Sequence, residues 1–216
     1  ANIIDTICSS VEFALGQAFN SDQRRFMIWQ EVYETYYLGI SFAFFTVTII
    51  LFPSFIELYT QGITDINYQD RWLPYLFAAI NVLMYARRTS SQVINFAGHF
   101  KQTQWRSILE SAINLSVSFL LVQSIGIYGV LIGTILALLY RTNDVILYTN
   151  RKILNRKPWK TYRRWVVNLI VMCGLVFLLK DRYAVARDYF VWVRNAILVS
   201  IACLFAFFAV DSICDQ

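Results

Sequence analysis

Charge is scarce in this chain. Asp, Glu, Lys and Arg make up 15% of 216 residues, against 57% hydrophobic and 17% aromatic, a balance more apolar than that of ordinary soluble domains. Histidine occurs once, at His99. No HExxH pair, phosphate-binding glycine loop, dinucleotide fingerprint or nucleophile elbow is present. The four cysteines, Cys8, Cys173, Cys203 and Cys214, lack metal-type spacing, and Cys173 and Cys203 fall inside apolar runs, so neither zinc nor a disulfide framework is indicated. These absences leave no catalytic residue, metal or cofactor to assign. A secretory signal is also missing, since no basic stretch leads into an apolar core and a small-residue cleavage site.

What the chain has instead is long apolar runs. Residues 36–56 carry no charge over 21 positions, enough for a helix to cross ~30 Å of hydrocarbon. Residues 72–100, 108–123, 125–148, 165–179 and 195–210 continue the pattern, the shorter ones completed by flanking aromatics and snorkelling basic residues. Residues 3–19 add a partial crossing. The expected fold is all-α: a polytopic transmembrane helix bundle of about six full spans and a partial N-terminal one. It forms a single domain over residues 1–216, with a basic linker at 150–164 before the last two spans. Residue 1 is Ala, and the opening already reads as helix interior, which suggests a piece of a longer protein.

Crossing the runs in order places Arg24, Arg25, Lys101, Arg106 and the seven basic residues of 151–164 on one side, eleven in all. The other side receives Arg71, Lys180, Arg182 and Arg187, with Asp65 and Asp70 in its longest loop. Loops 20–35, 99–106 and 150–164 are therefore expected to be cytoplasmic. The basic linker suits anionic membrane lipids better than nucleic acid, which is not expected as a partner.

Arg87 and Arg88 interrupt an apolar pattern. Residues 72–86 number only 15, about 22 Å of helix, too short to cross alone, so the helix must run on through both arginines. That sets them in the inner half of the membrane, where lipid exposure costs ~2.5 kcal/mol or more and such residues turn to the protein interior or a wet cavity. Asn81, Tyr85, Arg88, Gln92 and Asn95 share one helical face. Arg88 is thus a candidate cavity ligand. Arg87 is a candidate to join it, and the plainer alternative for both arginines is to snorkel to the inner interface or pair with a carboxylate. On the next span Ser107, Glu110, Ser111, Asn114 and Ser118 form a second polar face, with Arg106 placed to neutralise Glu110 at i,i+4. Polar groups in membranes commonly pack helices, but an arginine fork beside them suits a phosphate. Arg141 and Asp144 form an i,i+3 pair, structural or coupling; Glu57, near the outer end of its span, is a further candidate for a coupling ion. Arg194 reads as a snorkelling residue, and Gly129 and Gly133 form a GxxxG pattern with Ala137 one turn on, which favours close helix packing.

The stretch from "INFAGHFKQTQWRSILESAINLSVSF" through "GIYGVLIGT" to "LLYRTNDVILYTNRKIL" resembles the C-terminal half of bacterial polysaccharide flippases, the Wzx-type O-antigen and capsule exporters. These belong to the multidrug/oligosaccharidyl-lipid/polysaccharide exporter superfamily. The resemblance is clear over residues 72–154 and weaker beyond. It implies a transporter moving polyprenyl-diphosphate-linked oligosaccharide units across the bacterial cytoplasmic membrane by alternating access. A missing N-terminal half would be this chain's partner around a central cavity. In similar sequences an arginine precedes the "GHFKQTQ" motif, and Arg88 is the better match; the proline that often follows is absent from "RRTSS". Two alternatives stand beside this reading. A drug/cation antiporter of the same superfamily would more naturally carry acidic cavity residues. A membrane-embedded glycan polymerase or ligase should have large outer loops, and those here are short.

Overall fold

The computed structural model describes residues 2–61, 70, 72–183 and 188–214, with the side chains of residues 2–8 left out. Asp65, Arg71, Arg187 and the Cys8 thiol lie outside the described residues. The described chain is all helix: α1 (Asn2–Ser21), α2 (Gln23–Tyr59), α3 (Leu73–Ala86), α4 (Arg88–Phe96), α5 (Phe100–Ile125), α6 (Ile127–Tyr148), a π-helical turn (Thr149–Ile153), α7 (Trp159–Tyr183) and α8 (Tyr189–Cys214).

Five stretches are long and apolar enough to cross a membrane: α2, α5, α6 with the π turn, α7 and α8. This is the helical membrane bundle the runs predict, with one change. The expected span over residues 72–100 is two helices, α3 and α4, broken at Arg87, whose ψ of −14° departs from the roughly −42° of a continuous helix. Expected loops are also shorter than read. Residues 20–35 are nearly all helix, interrupted only at Asp22. Its carboxylate accepts from the amides of Arg24 and Arg25, both at 3.0 Å, which satisfies two otherwise orphaned donors and starts α2 at once. Residues 99–106 are likewise the start of α5, and residues 159–164 the start of α7.

The 37-residue α2 is about 55 Å long at ~1.5 Å per residue, well beyond the hydrocarbon thickness. Its upper part carries Leu38, Phe42, Phe45, Ile50 and Leu51 into the main core, against Val82 and Ala86 of α3 and Val199, Cys203 and Phe207 of α8. Trp165 of α7 meets Phe42 edge-on, with centroids 6.4 Å apart. A second core gathers Leu15 and Ala18 of α1, Phe26, Tyr33 and Tyr37 of α2, Val93 of α4 and Leu154.

The α5–α6 hairpin sits to one side. Gly126 turns it with φ +57° and ψ −134°, a conformation that favours glycine. Gly129 and Gly133 then let the two backbones touch, as the GxxxG pattern implies: a Cβ at Gly133 would lie 2.8 Å from the Ser118 amide nitrogen, and one at Gly129 would lie 2.5 Å from the Leu121 carbonyl carbon. α6 joins the body through Thr142, donating to Leu83 O at 3.3 Å, and the turn after it through Thr149, donating to Ser90 O at 2.9 Å. Most of α5 faces outward. Thr103 is its one buried residue, and Leu115 and Phe119 are exposed.

Candidate functional site

Successive residues on a helix are about 100° apart, so two adjacent arginines leave the axis in different directions. At the α3–α4 break they diverge. Arg88 turns to α1 and takes Glu12 in a fork, Nε to Oε1 at 2.9 Å and Nη2 to Oε2 at 3.4 Å. Gln92 donates to Glu12 Oε2 at 2.8 Å and Tyr33 donates to Oε1 at 3.0 Å. Four donors from α2 and α4 thus converge on one carboxylate.

Arg87 turns the other way and pairs with Glu110 of α5 at 2.8 Å. This is the carboxylate-pairing alternative for Arg87. Glu110 also meets Arg141 Nε of α6 at 3.5 Å; Arg141 meets Asp144 at 3.0 Å; Asp144 meets Arg106 of α5 at 2.5 Å. The Arg106 guanidinium lies 4.7 Å from the Tyr148 ring centroid. The expected i,i+4 pairing of Arg106 with Glu110 is corrected here: each has a nearer partner on another helix, because α5 lies flush against α6 and faces Arg87. In this chain of pairs three guanidiniums meet two carboxylates, which leaves one positive charge in excess.

Beside the pairs, α4, α5 and α6 border an open cleft of about 340 Å³ of mixed lining, in which Asn95, Gln104, Ser107 and Arg141 stand beside Ile94 and Phe100. His99, in the short α4–α5 link, shares a hydrogen bond with the Tyr148 hydroxyl at 3.0 Å. The remaining predicted residues scatter. Asn95 reaches Gln92 at 3.3 Å, but Asn81 donates to Phe77 O and lines a separate, mainly apolar cavity with Phe45 and Phe77. The single stripe headed by Arg88 therefore does not form one site. Asn114 accepts from Ser118 at 3.0 Å and from Thr134 of α6 at 3.3 Å, a helix-packing role. Glu57 and Arg194 are exposed near the ends of α2 and α8.

One cluster escapes sequence reading altogether. Glu34 of α2, only 1% exposed, accepts from Arg156 at 2.6 Å, Arg164 at 3.1 Å and Thr161 at 2.5 Å. Glu31, one turn earlier, takes Lys160 at 2.9 Å and Arg156 at 3.3 Å. The basic linker read as suited to anionic lipids is thus partly bound to protein carboxylates. Two glutamates just before an uncharged span, on the side of the basic linker, were the available signal. At the opposite end Asp70 accepts from the amides of Trp72 and Leu73 at 2.8 and 3.0 Å and from the Tyr128 hydroxyl. The Tyr128 bond, then the two amides, hold its carboxyl below the usual value of 3.8.

The chain matches no family model, no curated protein and no solved structure.

Proposed function

We propose that this chain is the second helical half of a transporter that flips polyprenyl-diphosphate-linked oligosaccharide units across the bacterial cytoplasmic membrane by alternating access, with no chemistry on the substrate. The observation that carries the reading is the pair of guanidiniums at the α3–α4 break, about 21 Å along the helix from its outer end, Arg88 facing α1 and Arg87 joining the ion-pair chain with one surplus positive charge that reaches the cleft through Arg141. Guanidinium forks match phosphate geometry. Polar and aromatic groups around the cleft suit sugars. The basic end, where Arg24 and the Leu154–Asn155 turn lie together, would be cytoplasmic.

The test is outward flipping of a fluorescent polyprenyl-diphosphate oligosaccharide in proteoliposomes carrying the full-length protein. Arg88→Gln is expected to lower the rate at least about tenfold, the equivalent of one charge-assisted hydrogen bond, with folding retained. Unchanged flipping would make Arg88 a structural cation.

The carboxylates favour a second reading, a cation antiporter of the same superfamily. Glu12, Glu110 and Asp144 accompany the arginines, so the site is not purely basic. An antiporter would move an organic cation in exchange for protons flowing down their gradient and lose that activity with Glu110→Gln.

A further inference from the structure

Once the arginines are set beside the acids that hold them, the Glu12 site stands apart from the others. Glu110 and Asp144 are each shared between two arginines, as structural ion-pair chains are. Glu12 instead sits in a nest of donors: the Arg88 Nε and Nη2, the Gln92 amide and the Tyr33 hydroxyl, at 2.8 to 3.4 Å. Its carboxylate is a single anionic group held by a planar fork and two neutral donors. That is the coordination a phosphate oxygen set takes from a protein. The side chain belongs to α1, whereas every donor belongs to α2 or α4.

We infer that Glu12 occupies an anion subsite made by Arg88, Gln92 and Tyr33, and that a phosphate-bearing ligand and Glu12 compete for it. Ligand binding and release of Glu12 from Arg88 are then one event. α1 keeps a second hold on the body near its end, where Gly16 lies under the Phe96 ring and Phe19 meets Phe26 edge-on at 4.9 Å. Loss of the Glu12 contact therefore frees the middle of α1 while its C-terminal turn stays anchored beside Asp22. The proposal rests on the reading of Arg88 as a ligand for the transported diphosphate, and it adds what fills the site when substrate is absent.

Competition has a signature that a plain ion pair lacks. Removing Glu12 vacates the place its carboxylate takes among the Arg88, Gln92 and Tyr33 donors, so an added anion should restore stability. The experiment is thermal unfolding of the detergent-solubilised full chain, titrated with inorganic pyrophosphate and separately with farnesyl diphosphate. Variants are Glu12→Ala, Glu12→Gln and Glu12→Ala/Arg88→Gln. Glu12→Ala is expected to melt below the wild type and to recover with either anion at concentrations at least about tenfold lower than any that affect the wild type. The double variant should show no recovery. A larger gain from farnesyl diphosphate assigns the subsite to a lipid-borne diphosphate, and an equal gain assigns it to a free one. Glu12→Gln retains the side-chain volume and serves the same comparison should the alanine variant not fold. Recovery absent in both Glu12 variants, or unaffected by Arg88→Gln, overturns the proposal. The flipping assay separates the two claims: loss of flipping in Arg88→Gln without anion rescue of Glu12→Ala keeps the transport reading and removes the competition.

Discussion

At the residue scale, what matters is how completely charge is matched. Glu34 is 1% exposed and Arg164 is 7% exposed, so neither ion has water to fall back on. Breaking a buried pair by removing one partner costs ~3–5 kcal/mol, because the other charge stays buried. Glu34→Ala removes the buried carboxylate that Arg156 and Arg164 share and is expected to destabilise the chain by about that amount, read as a lower denaturation midpoint in detergent. Lys160→Ala is the control. Its side chain is 57% exposed, and its loss should cost under about 1 kcal/mol. Equal effects would remove the distinction. Sequence reading found Arg87, Arg88, Glu110, Arg141 and Asp144, because charges inside apolar runs announce themselves. It also paired Arg141 with Asp144, three positions on, but it could not find the partners that lie on other helices. Glu12 and Arg88 are 76 positions apart, and Glu34 and Arg164 are 130 apart; no helical period links residues across such separations.

Helices are the level at which apolar runs speak most clearly. The spans at 36–56, 165–179 and 195–210 lie within α2, α7 and α8, because uncharged runs of that length have few alternatives to helix in a membrane. Helix ends were less legible. The break at Arg87 has neither proline nor glycine to mark it, and Asp22 interrupts what reads as a loop by capping a helix. Glycine spacing was informative, and it yields a sharp comparison. A methyl group at Gly129 would meet the Leu121 backbone, while Gly174 of α7 has nothing within 4 Å of an added Cβ. Gly129→Ala is expected to lower the melting temperature, in keeping with overpacking costs of ~1–3 kcal/mol, and Gly174→Ala to leave it unchanged or raised. A stable Gly129→Ala would show that the hairpin can open without loss.

Over the whole molecule, the helices return basic residues to one end each time. Arg163 donates to Cys214 O at 2.9 Å, and Arg24 lies beside Ile153 and Asn155; Asp70 and Tyr128 meet at the far end, as do Tyr189 and Leu58. In intact cells a cysteine replacing Asn155, in a chain with its native cysteines removed, should resist an impermeant maleimide, and one replacing Gln61 should react. The reverse pattern would invert the orientation. This alternation was readable from loop charge alone, because each added or lost crossing would have moved whole basic clusters. The outward face of α5 was not, since its apolar residues look the same in sequence whether lipid or protein covers them. The length of α2 has a mechanical consequence. Phe207 and Trp165 pack on its Phe42 near the middle, so a single element ties the end where Tyr33 holds Glu12 and Glu34 holds the linker to the far end, where Leu58 accepts from Tyr189.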